Sequence, residues 1–322
     1  YLPTDQGFDI NIAGNHKGMP PSYYYPYKAE RFNFEITHLE LGKDSLYLTD
    51  RLGNEAVQFI ENHADSLFFM YLPFYTVHTP WEGRPDLVNK YNVLLEKNND
   101  TLVRDPHFLA MIESLDQNVG KVMKTLDRFE IAEKTLVIFV SDNGGLTRRS
   151  NNKIFGSWNY PLRGGKGTLY EGGLRVPTMV RWPARIKPGR VSNELVISTD
   201  VFPTVMEAVG LPVDNSIEGI SLMKHLSKDE QINRETFYWH YPHYHHTNPG
   251  SVIRHGDYKL IYYYETEQAE LYNLKTDPGE KNNVAEENPE KAAELKSKLE
   301  KWLKDNRASF PIPNPLYKPQ LQ

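Results

Sequence analysis

Thr135-Leu136-Val137-Ile138-Phe139-Val140 runs directly into Ser141-Asp142-Asn143-Gly144-Gly145, and this junction decides the fold. A continuous β-branched and apolar run of strand length fits a sheet covered on both faces, and the polar, glycine-rich turn stops it. Just upstream, Phe108, Met111, Ile112, Leu115, Val119, Val122, Met123 and Leu126 recur at three- and four-residue spacing, marking one face of a long helix. The same logic occurs once earlier. Thr49–His63 reads as a helix with Thr49 as N-cap and Leu52, Ala56, Phe59 and Ile60 inward, and Ser66–Leu72 then reads as a buried strand ending at Pro73. Helix then strand, twice, predicts an α/β fold: a mixed, mostly parallel sheet between helices. A third strand is expected near Val176–Trp182, behind the glycine-rich run Leu162–Gly173, and Asp200 is positioned to cap a short helix that closes at Gly210.

Past Leu226 the texture changes. Glu235–His240, Ser251–Arg254, Tyr258–Tyr264 and Ala269–Leu274 are short and rich in Tyr, Val and Ile, with a His255-Gly256-Asp257 turn between two of them. They predict an antiparallel sheet. Asp277-Pro278-Gly279 breaks it, and Asn288 followed by Pro289 opens a last helix with Ala292, Leu295, Leu299, Trp302 and Leu303 on its apolar side. The expected organisation is therefore an α/β domain over residues 1–226 and a smaller α+β domain over 227–322, ending in a frayed Pro-rich tail from Pro311.

At 322 residues and 39% hydrophobic, the chain is long enough to bury a substantial core. Its net charge of −5 and lack of any basic stripe argue against nucleic-acid binding. No apolar run approaches the roughly 20 residues needed to span a bilayer, and no signal-like segment opens the chain. Cysteine is absent, which excludes disulfides and thiol chemistry and leaves the compartment open. The irregular segment Tyr1–Tyr27, rich in Gly, Pro and Tyr and without an initial Met, reads as an interior cut.

Ligands of open α/β sheets gather beyond the carboxyl ends of the strands, where His78, Asp142, Asn143 and Lys166 all fall on polar loops. Each has a plain alternative: a loop-bracing histidine, an Asp-Asn-Gly-Gly turn, a solvated lysine. Together they make chemical sense. Asp142 and Asn143 offer hard oxygens for Ca2+ or Mg2+, while Lys166 and His78 supply donors for a tetrahedral oxyanion. Gly164-Gly165-Lys166-Gly167 lacks the Ser or Thr and the earlier Gly of a P-loop, and neither His-Glu-x-x-His nor an EF-hand loop occurs. His240, His243, His245 and His246, interleaved with tyrosines, lack regular metal-ligand spacing. They suit either a substrate rim, with His240 and His243 as the candidate contacts, or an aromatic loop that packs two domains together.

Five segments carry a family resemblance: Tyr1-Leu2-Pro3-Thr4-Asp5-Gln6-Gly7-Phe8-Asp9, His78-Thr79-Pro80, Val140–Gly145, Leu162–Pro177, and Glu270–Leu274 leading into Asp277-Pro278-Gly279-Glu280. In their order and spacing the chain resembles the type I sulfatases of the alkaline phosphatase superfamily, most of all the bacterial arylsulfatase-like branch. The resemblance implies an alkaline phosphatase-like fold and sulfate-ester hydrolysis, on a sulfated carbohydrate or an aryl sulfate. It implies Asp142 and Asn143 as calcium ligands, Lys166 on a sulfate oxygen, and His78 on the bridging ester oxygen or the sulfate. A periplasmic or extracellular location also follows from the resemblance alone.

The family's nucleophile is a formylglycine made from Cys or Ser, and no Cys-x-Pro-x-Arg or Ser-x-Pro-x-Arg occurs here; the paired-Asp segment and the Gly-Lys-Trp-His segment are likewise absent. The chain therefore resembles the C-terminal two-thirds of such an enzyme. It is expected to be inactive alone, to bind metal weakly or not at all unless an N-terminal partner segment is present, to expose apolar sheet edge, and to aggregate or depend on a partner such as an N-terminal fragment that completes the fold. Two other readings stay open: a phosphodiester or phosphonate monoester hydrolase of the same superfamily, and a non-catalytic remnant that binds sulfated glycan.

Overall fold

The structure is a computed structural model that describes residues 2–39, 46–98, 105–147, 157–214, 216–312 and 314–316. Tyr1 and the end of the Pro-rich tail, 317–322, lie outside the described residues. The chain divides into two compact units, Tyr1–Val137 with Arg181–Pro188, and Ile138–Val180 with Gly189–Gln322. This division differs from the expected one after Leu226. The glycine-rich run supplies Leu169 and Tyr170 to the core of the antiparallel sheet, so residues on both sides of Leu226 share one core.

The first unit contains α1 (Leu48–His63), α2 (Pro85–Lys97) and α3 (Pro106–Arg128). Helix α3 starts where the Asp105 carboxylate accepts hydrogen bonds from the His107 and Phe108 N–H groups at 2.8 and 3.3 Å. The start of α1 departs from expectation. Tyr47 occupies the cap position, and Thr49 lies inside the helix with its hydroxyl 2.5 Å from that of Thr76. The reason is tertiary: Leu48 N–H already donates to the Tyr23 carbonyl at 2.7 Å, so a backbone oxygen satisfies part of the first turn. Helices α1 and α3 approach closely at Gly53, where a Cβ would sit 2.9 Å from that of Asn118. Asn118 in turn donates to Asp50 Oδ1 at 2.7 Å and to the Ser114 carbonyl at 2.8 Å, satisfying its polar group within the contact.

Ser66–Leu72 carries no ladder among the described residues. Phe68 and Met70 pack with Ile60 and Leu126, whereas Leu67, Phe69 and Tyr71 are 103%, 62% and 70% exposed. Among the described residues the backbone of residues 67–73 makes no backbone hydrogen bond. The expected strand buried on both faces is thus well covered on one face only; on the other, Phe8 reaches Phe69 at 5.7 Å and leaves Leu67 and Tyr71 exposed.

The second unit takes in β1 (Val137–Val140) from Ile138 on and β2 (Thr178–Arg181) up to Val180, which pair with each other, and includes α4 (Glu171–Leu174), α5 (Val201–Ala208) and α6 (Met223–Lys228). Asp200 stands at the cap of α5 without capping it. Its buried carboxylate instead takes Arg234 bidentately, at 2.7 and 2.6 Å, and the N–H groups of Ile197 and Ile220.

The expected antiparallel sheet is present as β3 (Thr236–Tyr241), β4 (Gly250–His255), β5 (Tyr258–Tyr263) and β6 (Ala269–Asn273), in the order β3-β4-β5-β6. Pairing Trp239↔Val252↔Ile261 and Tyr238↔Ile253↔Leu260 fixes its two faces. With a side-chain period of two, Ile253, Leu260 and Leu271 meet Leu295, Leu299 and Leu303 of α7 (Pro289–Asp305). Val252, Ile261 and Tyr272 meet Leu169 on the other face. The fold class is mixed α/β with an antiparallel sheet in its C-terminal part.

Candidate functional site

The site is assembled where two glycine-rich turns of the second unit interlock. Beyond β1, Asp142 Oδ1 accepts hydrogen bonds from the Asn143 backbone N–H at 2.9 Å and side-chain Nδ2 at 3.1 Å, and the Ser141 hydroxyl donates to the Asn143 carbonyl at 3.0 Å. Asp142 is exposed, and among the described residues nothing donates to its Oδ2. Gly144 N–H donates to the Gly173 carbonyl at 3.1 Å, and Lys166 N–H donates to the Gly145 carbonyl at 3.1 Å. A side chain at Gly144 would collide with the Gly172 carbonyl, and one at Gly165 with the Gly145 carbonyl. The two turns touch backbone to backbone, so glycine is required at the contact.

Asn159 locks this junction, and sequence reasoning missed it. Its amide accepts from Gly145 N–H at 2.9 Å and donates to the carbonyls of Gly145 and Gly164 at 2.9 and 3.0 Å. The available signal was an Asn entering a Tyr-Pro turn, a residue suited to bridging nearby backbone groups. Thr168 Oγ1 closes the Lys166 loop from within, accepting from Gly165 N–H at 3.1 Å and donating to the Gly165 carbonyl at 2.8 Å. Lys166 itself is half-buried and has no carboxylate partner among the described residues.

The histidines sort by strand geometry. His240 faces α7, the side of the sheet opposite Leu169. Its Nε2 bonds the Ser309 carbonyl at 2.8 Å, and its Nδ1 lies 2.8 and 2.9 Å from the hydroxyls of Ser251 and Tyr264. Both ring nitrogens are therefore occupied, and the structure does not bring His240 to Lys166. His243 is exposed beyond the strand, edge-on to Tyr241. The residues that do reach the Lys166 loop are two and three positions further on: a Cβ on Gly167 would strike the His245 imidazole, and His245 and His246 stack edge-to-face at 4.4 Å. Partial burial, then His245 and the Lys166 ammonium, push the His246 imidazole below its ordinary value.

His78 belongs to the first unit. Its Nδ1 lies 2.9 Å from the Thr79 carbonyl, and its own carbonyl accepts from the buried Tyr23 hydroxyl at 2.9 Å. The loop is thus braced, while Nε2 has no partner among the described residues.

Behind the Lys166 loop lies a buried charge cluster that the sequence concealed. Lys259, fully buried on β5, pairs with Glu171 at 3.0 Å and Glu280 at 2.8 Å, and Arg254 reaches Glu171 at 3.4 Å. The Glu280 carboxylate also accepts from the Glu171 N–H at 2.6 Å, and Arg163 donates to the Glu280 carbonyl at 2.9 Å. Burial raises the Glu280 carboxyl above its usual range, against the pull of Lys259. Glu280 of the Asp-Pro-Gly-Glu turn therefore grips both ends of the Lys166 loop, at Arg163 and Glu171.

The sulfatase family model matches residues 4–211, nearly two-thirds of the chain. The chain belongs to the sulfatase family. A second model, N-sulphoglucosamine sulphohydrolase, C-terminal, matches residues 165–309 of this sulfatase chain. A sulfatase of Formosa agariphila is 38% identical over 291 residues, 81% of this chain and 51% of that protein. The N-acetylgalactosamine-6-O-sulfatase of Bacteroides thetaiotaomicron is 30% identical over 285 residues, 80% of this chain and 52% of that protein. Among solved structures, Ps i-CgsB in complex with k-i-k-neocarrahexaose superposes with a TM-score of 0.75 at 26% identity, covering 96% of this chain and 69% of that one. The fold is accordingly that of the sulfatases, alkaline phosphatase-like. The chain spans about half the length of the curated relatives it matches.

Proposed function

We propose that this chain forms part of a sulfuric ester hydrolase acting on a sulfated carbohydrate, with Lys166 as its anion clamp. The supporting observation is the Lys166 N–H bond to the Gly145 carbonyl, which ties the lysine loop to the Asp142-Asn143 turn. In this reading the Lys166 ammonium holds a sulfuryl oxygen as charge spreads over the leaving group. For His78, in the first unit, the resemblance implies a contact with the bridging ester oxygen or the sulfate. His245 and His246 border the Lys166 end of the site, and His243 stands at its rim.

The donor set suits a hard cation in kind: an exposed carboxylate beside a carboxamide fits Ca2+, or Mg2+, better than a soft metal. It does not complete a shell. No group of three or more His, Cys, Asp or Glu residues able to hold a metal occurs among the described residues, and calcium takes about six to eight oxygens. The remaining ligands and the nucleophile would come from an N-terminal segment or partner fragment. A bound divalent cation and a formylglycine on that segment would supply Lewis-acid charge and the attacking oxygen. Without them this chain is inactive. A periplasmic or extracellular setting suits a polysaccharide substrate.

The test is sulfate release from a sulfated oligosaccharide and from an aryl sulfate by the parent polypeptide, its formylglycine verified by mass spectrometry. Lys166→Ala should abolish turnover of both. Turnover of phosphate esters without sulfate release would overturn the reading. It would favour the phosphodiester or phosphonate hydrolase, since an ammonium and an imidazole serve either tetrahedral anion.

A further inference from the structure

On the α7 side of the antiparallel sheet, opposite Leu169, the second unit holds a groove of about 380 Å³ that the catalytic reading does not use. Its walls are aromatic. Tyr264 meets Phe310 edge-on with centroids 5.2 Å apart, and Tyr262 lies 6.0 Å from Tyr264. His240 fixes these walls in place: one ring nitrogen bonds the Ser309 carbonyl next to Phe310, and the other faces the Ser251 and Tyr264 hydroxyls. The groove is thereby shaped in advance, which lowers the ordering cost of binding.

The rim is cationic. Lys296 stands 4.3 Å over the Tyr262 ring and 3.8 Å from Glu300, while Lys304 and Arg307 have no carboxylate partner among the described residues. Three cations against one anion line a groove in a chain whose net charge is −5. An aromatic wall with a few convergent charges is the ordinary make-up of a ligand site of this size.

We propose that this groove binds an anionic sugar of a polysaccharide, the ring lying against Tyr262, Tyr264 and Phe310 and the sulfate or carboxylate meeting Lys304 and Arg307. A nucleic acid would need a longer basic stripe than these residues supply, and a run of Asp and Glu offers no ring to the aromatic wall. Because the groove opens on the other face of the sheet, its occupancy leaves the Lys166 loop free. It would hold polymer near the enzyme without entering the catalytic site. The inference does not depend on the catalytic reading, since it rests on this groove alone.

The experiment is titration calorimetry of this chain carrying Lys166→Ala, which removes the anion clamp from the measurement. The probes are chondroitin 4-sulfate hexasaccharide, maltohexaose and an oligoglutamate of equal charge. The sulfated hexasaccharide should bind, and should bind more weakly as salt screens the rim; the other two should not. Lys304→Gln with Arg307→Asn, the latter chosen because residue 307 has φ +50° and Asn tolerates that region, should weaken binding about tenfold or more. Phe310→Ala should do likewise, with circular dichroism confirming the fold of each variant. Unchanged affinity in the folded double variant, equal binding of oligoglutamate, or no binding of the sulfated hexasaccharide would each overturn the proposal.

Discussion

Replacing Lys259 by Met tests how much the buried charge cluster behind the Lys166 loop contributes to stability. The substitution keeps the aliphatic stem and deletes an ammonium that sits 3.0 Å from Glu171 and 2.8 Å from Glu280, with Lys259 and Glu280 both 0% exposed. Removing one member of a buried ion pair costs about 3–5 kcal/mol, because the other charge is left without its partner. Here Glu171 keeps Arg254 at 3.4 Å and Glu280 keeps the Glu171 N–H at 2.6 Å, which places the expected loss near the lower end, about 3 kcal/mol. The pH dependence has a definite sign. Burial already raises the Glu280 carboxyl, so the folded state holds that proton more tightly than the unfolded chain does. Such a group favours folding below its unfolded value and loses that contribution as pH rises through its folded value. Without Lys259 the folded value rises further, so the penalty should be large at pH 7 and shrink towards the acid side. Urea unfolding of the chain and of Lys259→Met at about pH 7 and pH 5 would measure this. Adding Glu280→Gln should restore part of the loss by removing the stranded charge. A loss under about 1 kcal/mol, or a loss unchanged by pH and by Glu280→Gln, would refute the reasoning.

Three further outcomes are expected. The His246 ring protons should titrate below the ordinary 6.5 in NMR spectra, and Lys166→Ala should move the midpoint upward by removing a repelling ammonium; because that value is depressed, the corresponding stability is present above 6.5 and lost as pH falls through the folded value. A midpoint indifferent to Lys166 would mean that the two groups do not share a site. Calorimetry with CaCl2 should find this chain binding no tighter than about 10⁻³ M, and tight binding would show that Asp142 and Asn143 have further ligands within the chain. Leu67→Lys with Tyr71→Lys should reduce self-association measured by sedimentation, since charges on an unpaired strand block edge pairing; unaltered association would place the sticky surface elsewhere.

Local chemistry made much of this molecule legible. The short runs rich in Tyr, Val and Ile past Leu226, parted by turn residues, marked the antiparallel sheet, because β-branched and aromatic side chains pack well on a pleated surface. Pro289 and the leucine spacing after it marked α7. The glycine-rich run around Lys166 was visible in the sequence, and the fold supplies a reason for it: at Gly144 and Gly165 two turns meet backbone to backbone. Thr49 misled because a Thr before an apolar helix is an ordinary cap signal, whereas here the Tyr23 carbonyl, distant in sequence, had already taken the Leu48 N–H.

By itself, then, the sequence determined the α/β class, the antiparallel sheet with its helix, and the loops bearing Asp142, Asn143 and Lys166, since each rests on spacing between neighbours in the chain. Only the tertiary structure decided which histidines stand by Lys166, that Lys259, Glu171 and Glu280 form one buried cluster, and that Asn159 clamps two turns together. Four histidines within seven positions look alike in sequence; β3 turns His240 towards α7, and the loop that follows returns His245 to Gly167. A buried lysine and glutamate read like solvated ones until partners far apart in the chain supply the charges that let them leave water.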